Sequence, residues 1–175
     1  SDVLLKNEYN YFNYSQITQA IDKMTFSCLL DSQKESLVKE IVNIYFNQIK
    51  ISWNKYPHNE IFWKDLFKNL KKSSLVLSVS GGVNLSISEL SINFHTWLVN
   101  VINAIFKIED KPEQEKLKDS YIKLLERWSD YLLDIARDIG LNDKQLGLPI
   151  IQAVQNNIRI IYGIKNNFDS DLTKI

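Results

Sequence analysis

Cysteine is almost missing from this chain: Cys28 stands alone among 175 residues. One thiol excludes an intrachain disulfide and any zinc site built from several cysteines. Cys28 itself is expected to be a small buried hydrophobe. Histidine is nearly as scarce, with only His58 and His95. Five Gly and three Pro are too few for a collagen-like or disordered chain. Net charge is absent as well, with 21 Lys and Arg against 21 Asp and Glu and a pI near 6.7. No long-range field then draws in a phosphate backbone. The short basic clusters, Lys71-Lys72 and Lys64 with Lys68, lack the interleaved aromatics of a nucleic-acid groove. We expect no nucleic-acid partner.

We expect no signal for export or membrane insertion. The opening Ser1-Asp2-Val3-Leu4-Leu5-Lys6 has no apolar run of signal-peptide length, and its lack of Met is compatible with a trimmed start. The most apolar stretch, Leu85 to Phe106, is long enough for a bilayer but contains Ser86, Ser88, Glu89, Asn93, His95, Asn100 and Asn103. Their combined insertion cost is prohibitive. It is expected to be a core helix, and the protein cytoplasmic.

What is present is helical periodicity. Residues 1–14 hold Tyr9, Tyr11, Phe12 and Tyr14 without a clear period and are expected to form an aromatic arm. Ser15 can cap a helix with Ile17, Ala20, Ile21, Met24 and Cys28 on one face. Ser32-Gln33-Lys34-Glu35 is a capping-box arrangement. It leads a helix that buries Leu37, Ile41, Ile44, Tyr45, Gln48 or Ile49, and Trp53. Pro57 breaks the pattern, and Asn59 can cap the next helix, with Phe62, Leu66 and Leu70 on one face and Trp63 and Phe67 beside them.

Residues 73–88 admit two readings. Leu75, Leu77 and Val79, then Val83, Leu85 and Ile87, alternate around Gly81-Gly82 as a hairpin would. A two-residue turn, however, would set Val79 opposite Asn84 and Leu77 opposite Ser86, which splits the apolar set across two faces. A three-residue loop restores that register, but Ser86-Ile87-Ser88-Glu89 is another capping box and would shorten the second arm. Helix to about Ser80, ended by Gly81, is the preferred expectation. From Ser86 to about Lys107 the apolar set Ile87, Leu90, Phe94, Trp97, Leu98, Val101 and Ile105 forms one stripe. Ile92, Val99, Ile102 and Phe106 form a second. A helix this apolar is expected to be enclosed by others. Asp110-Lys111-Pro112-Glu113 starts the next helix, with Leu117, Tyr121, Leu124, Trp128, Leu132, Ile135 and Ile139 inward and Gly140 at its end. A last helix starts near Asn142 or Pro149 and packs Ile150, Val154, Ile158, Ile161 and Tyr162; residues 167–175 are expected to fray.

Catalytic patterns do not emerge. Gly81-Gly82 has no following Lys-Ser/Thr and no dinucleotide-binding strand before it. There is no Gly-x-Ser-x-Gly elbow, no Glu-x-x-His pair and no His-Glu-x-x-His. A nucleophilic site would have to use His58 or His95. His58 follows Pro57 and is expected to be solvated. His95 lies between Phe94 and Trp97, where an imidazole could sense pH or ligate haem, against the plainer role of a hydrogen-bonded core histidine. Glu89 already has a role as the closing residue of a capping box. Trp97 and Trp128 fall on core stripes and could also line a ligand cavity. Trp53 and Trp63 flank Pro57; exposed together, they would make an interaction patch with Tyr9 and Tyr11.

The run Ser80-Gly81-Gly82-Val83-Asn84-Leu85-Ser86-Ile87-Ser88-Glu89-Leu90, with the long helix after it, resembles the N-terminal globin-like, haem-free sensor domains of bacterial stress-response regulators. Leu29-Leu30-Asp31-Ser32-Gln33-Lys34-Glu35 is similar to the opening of that family's first core helix. The likeness covers under half of the chain. It implies a haem-free sensor of an apolar small molecule. The expectation is one all-α domain over 1–175, a bundle of six or seven helices around 86–107. The leading function is a non-enzymatic regulatory or protein-interaction module without cofactor, bound to a protein partner or to its own copies. The sensor comes second, with His95, Trp97, Trp128 and Glu89 at the ligand, and an enzyme with an unfamiliar site third.

Overall fold

A computed structural model describes residues 31–79, 83–139 and 144–166. These residues form five helices and no strand: α1 Asp31–Lys55, α2 Glu60–Val79, α3 Val83–Phe106, α4 Lys111–Ile139 and α5 Lys144–Lys165. The expected aromatic arm, the Ser15–Cys28 helix, the Gly81 and Gly140 terminators and the frayed tail lie outside the described residues. The chain divides into two compact units, Ser1–Ile87 and Ser88–Ile175.

In the first unit α1 packs against α2. The apolar positions of α1 recur at three- and four-residue spacing, so Ile41, Val42, Tyr45, Phe46, Ile49 and Trp53 are buried on one side. Leu66, Phe67 and Leu70 answer from α2. The connection is short. Tyr56 N–H donates to Ser52 O at 2.9 Å, and Asn59 N–H donates to Tyr56 O at 3.0 Å. Asn59 Oδ1 then accepts from Ile61 N–H at 3.2 Å, which is the N-cap that its position after Pro57 predicts. Helix α2 continues to Val79, so the hairpin alternative for residues 73–79 is overturned: alternation of Leu75, Leu77 and Val79 does not outweigh continuation of a formed helix.

The second unit holds most of α3 with α4 and α5. Helix α3 starts at Val83, three residues before the Ser86 expected from its capping box; Ser and Glu are tolerated in a first turn without being its boundary. Phe94, Leu98, Ile102 and Ile105 are buried. The expectation of a helix enclosed all round is corrected. Asn93, Thr96, Asn100 and Ala104 share an exposed face, and Ile92, assigned to an apolar stripe, is 64% exposed on it. Polar groups spaced by three and four override one isoleucine there.

Three hydrogen bonds close the turn from α3 to α4. Lys107 N–H donates to Ala104 O at 3.2 Å and Ile108 N–H to Ile105 O at 3.1 Å, a tightened last turn. Gln114 N–H donates to Asp110 O at 2.9 Å, so α4 begins at the Asp-Lys-Pro-Glu signal. The buried Gln114 side chain reaches back: its Nε2 donates to Ile105 O at 3.1 Å and Phe106 O at 3.2 Å, satisfying carbonyls that the end of α3 leaves open. Tyr121 O–H ties α4 to α3 by donating to Leu98 O at 2.8 Å. Burial raises the Tyr121 pKa, so the phenol stays a donor. Lys118 is buried along its stem, with Nζ 3.5 Å from Glu115 Oε1 and 5.6 Å from the centre of the Phe106 ring.

Helix α5 starts at Lys144 and packs on α4. Its buried line is Ile150, Val154, Asn157, Ile160 and Ile164, and on α4 Tyr121, Leu124, Leu125, Trp128, Leu132 and Ile135 are buried as well. Inside the α4–α5 seam the Asn157 Nδ2 donates to Ser129 Oγ at 3.0 Å, while the buried Oδ1 of Asn157 has no hydrogen-bond partner.

Candidate functional site

The structure brings some of the singled-out residues together and separates others. Phe94 sits 4.6 Å from Trp128 and 5.2 Å from Trp97, ring centre to ring centre, and Trp128 stacks on Tyr131 at 5.6 Å. Trp97 and Trp128 therefore belong to one aromatic row between α3 and α4. Trp128 is fully buried, and Trp97 is half-buried. His95 is also half-buried. Its Nδ1 lies out of solvent without a hydrogen-bond partner, and burial lowers its pKa. The Oδ1 of Asn103, farther along α3, is likewise buried without a partner. Such groups are uncommon in folded proteins. The Glu89 side chain, Tyr9, Tyr11 and Cys28 lie outside the described residues.

Trp53 and Trp63 do not form an exposed patch. Their rings meet at 6.5 Å, but Trp53 is 5% and Trp63 1% exposed. Both sit on the inward faces of α1 and α2, where burial of so much ring surface outweighs any edge position beside Pro57. His58 is exposed, as its place in the loop predicts. Among the described residues no group of three His, Cys, Asp or Glu could hold a metal ion, and no helix is long and apolar enough to cross a membrane.

The feature that sequence reasoning missed is a second face on α5. Leu148, Ile151, Ile158 and Tyr162 are 57%, 38%, 58% and 62% exposed. With Gln155, they recur at 3-4-3-4 spacing along one stripe. At 3.6 residues per turn that stripe is centred about 140° from the buried line. The expectation that Ile158 and Tyr162 pack in the core with Ile150 and Val154 is corrected. The eight residues from Ile150 to Ile158 overshoot two helical turns, so the buried line passes through polar Asn157 instead. The visible signal was the second apolar series beginning at Leu148.

Compared with protein-family models, curated proteins and solved structures, the chain matches none.

Proposed function

We propose that this chain is a non-enzymatic interaction module, and that the outer face of α5 receives a partner protein. The supporting observation is the exposed row Leu148, Ile151, Ile158 and Tyr162 on a helix whose opposite side already has its packing partner in α4. Singly exposed apolar residues are ordinary, but four on one helix face, broken only by Gln155, support an association surface. Its spacing suits a second helix laid alongside. Fluorescence anisotropy with a panel of labelled amphipathic helical peptides tests this, the peptides carrying Leu in their apolar stripe and Glu, Gln or Lys in their flanks. At least one peptide should bind the full chain, and Ile158→Asp should weaken it about tenfold or more, equivalent to ~1.4 kcal/mol. No binding by any peptide, together with a solution mass independent of concentration, overturns the reading.

A second reading is a haem-free globin-like sensor that holds an apolar small molecule beside Trp97 and His95. It is favoured by the buried Nδ1 of His95 and Oδ1 of Asn103, two polar atoms of α3 that no protein group satisfies. Native mass spectrometry of freshly purified protein tests it: a bound small-molecule mass that is lost in His95→Leu supports the sensor, and a bare chain mass counts against it.

A further inference from the structure

Resting on the interaction-module reading, we infer that the occupant of the α5 face is an amphipathic helix of another protein with acidic residues flanking its apolar stripe. The 22 residues of α5 contain no Asp or Glu. Their basic residues are Lys144, Arg159 and Lys165, in a chain with no net charge. Arg159 and Lys165 are exposed. In heptad terms Leu148, Gln155 and Tyr162 take one seam position and Ile151, Ile158 and Lys165 the other. Arg159 then falls at the flank where charges of paired helices meet. A helix with Glu or Asp along its edges complements that flank, and one with Lys or Arg is repelled.

The same charges disfavour a second copy of α5, which would bring cation to cation with no acid on either helix to answer. They also separate a helical partner from an anionic lipid surface. Gln155 lies midway along the stripe, and its amide would lose water in an acyl layer without gaining a partner. Against a helix the amide can hydrogen-bond across the seam and set register, as a single polar seam residue does in coiled coils.

The test uses the full chain and the three peptides, each measured at ~50 mM and ~500 mM salt, where screening lengths differ severalfold. The Glu-flanked peptide should bind about tenfold more tightly than the Gln-flanked one at low salt, and the Lys-flanked one least. The gap should shrink at high salt, and in Arg159→Glu with Lys165→Glu the order of Glu- and Lys-flanked peptides should invert. Both residues are exposed, so the double variant should keep its helical circular dichroism. Equal binding of all three peptides overturns this inference but leaves the interaction module standing, whereas no binding by any overturns the inference and, together with a mass independent of concentration, the module as well. Competition by phosphatidylglycerol-containing vesicles that leave pure phosphatidylcholine inert, or a concentration-dependent mass lost in Ile158→Asp, also overturns it in favour of a lipid surface or a second copy.

Discussion

Among the described residues of α1 and α2 the buried side chains are aliphatic and aromatic, from Ile41 and Tyr45 through Trp63 to Leu70. In the second unit the same kinds of residue share the interior with Gln114, Lys118, Ser129 and Asn157. Apolar burial supplies most of the stability in either unit, because each large side chain removed from water contributes about 1.5–3 kcal/mol. Placed polar groups add selectivity, since each tolerates only the arrangement that satisfies it. The first unit thus reads as general packing, and the second as packing with a defined register.

The largest expected effects probe the shared part of that comparison. Trp63→Ala and Trp128→Ala each empty a site that is almost wholly enclosed. Each should lower unfolding free energy by about 3–5 kcal/mol in urea titrations, a large part of the total for a domain this size. Similar losses would place the contrast in the polar groups alone; a gap of several kcal/mol between the two would break it.

Gln114 comes next. Gln114→Met keeps the shape but removes the donor to Ile105 O and Phe106 O. The expected loss is about 1–3 kcal/mol, from buried carbonyls left short of partners. Gln114→Glu should be worse at neutral pH, because a carboxylate cannot donate and faces the negative end of α3. Acidification should recover part of that loss as the carboxyl gains a proton. Equal stability of the Met variant and the parent would show the cap to be incidental. For Asn157→Leu the expected sign is opposite. The unsatisfied Oδ1 in the α4–α5 seam makes an apolar replacement neutral or stabilising by about 1 kcal/mol. If Asn157 holds register, backbone amide shifts along α5 should multiply or broaden in that variant while the melting temperature holds or rises.

These residues also mark how far sequence reading reaches. Two helix starts were legible from a local cap, Asn59 before α2 and Asp110-Lys111-Pro112-Glu113 before α4, whereas the capping box at Ser86 put the start of α3 three residues late. Most inward positions of α2 and α4 followed from periodicity. What depends on distant geometry did not follow. Gln114 caps carbonyls eight and nine residues earlier, and a glutamine in a helix's first turn looks no different when it faces water. Asn157 concealed the buried line of α5 because a polar residue adds nothing to an apolar period, and the period alone carries that line on to Ile158 and Tyr162. For the same reason the candidate docking face stayed hidden: its residues are apolar, and apolar residues are assigned inward until coordinates show otherwise. The exposed patch of Trp53 and Trp63 failed because flanking a proline loop says nothing about which way a ring points, whereas the inward place that periodicity gives both is the one they take.

The smallest expected effect concerns His95. Its pKa is lowered from the ordinary 6.5 by desolvation, so the folded chain takes up its proton less readily than the unfolded chain. Stability from the neutral imidazole is then complete above the ordinary value and declines as pH falls below it, until the folded-state pKa is reached. Parent and His95→Leu should differ by a constant amount above pH ~7.5, while as pH falls below about 6.5 the parent should lose stability faster. Urea midpoints at half-unit pH intervals would reveal the divergence; parallel curves would mean that His95 is hydrated in solution and that its buried Nδ1 carries no weight. A ligand that donates a hydrogen bond to Nδ1 favours the neutral imidazole further, so adding it should steepen the parent's decline below pH 6.5 and leave the Leu variant unchanged. That steepening would favour the sensor reading over the interaction module, because a partner held on the outer face of α5 has no reason to alter the titration of a group on α3.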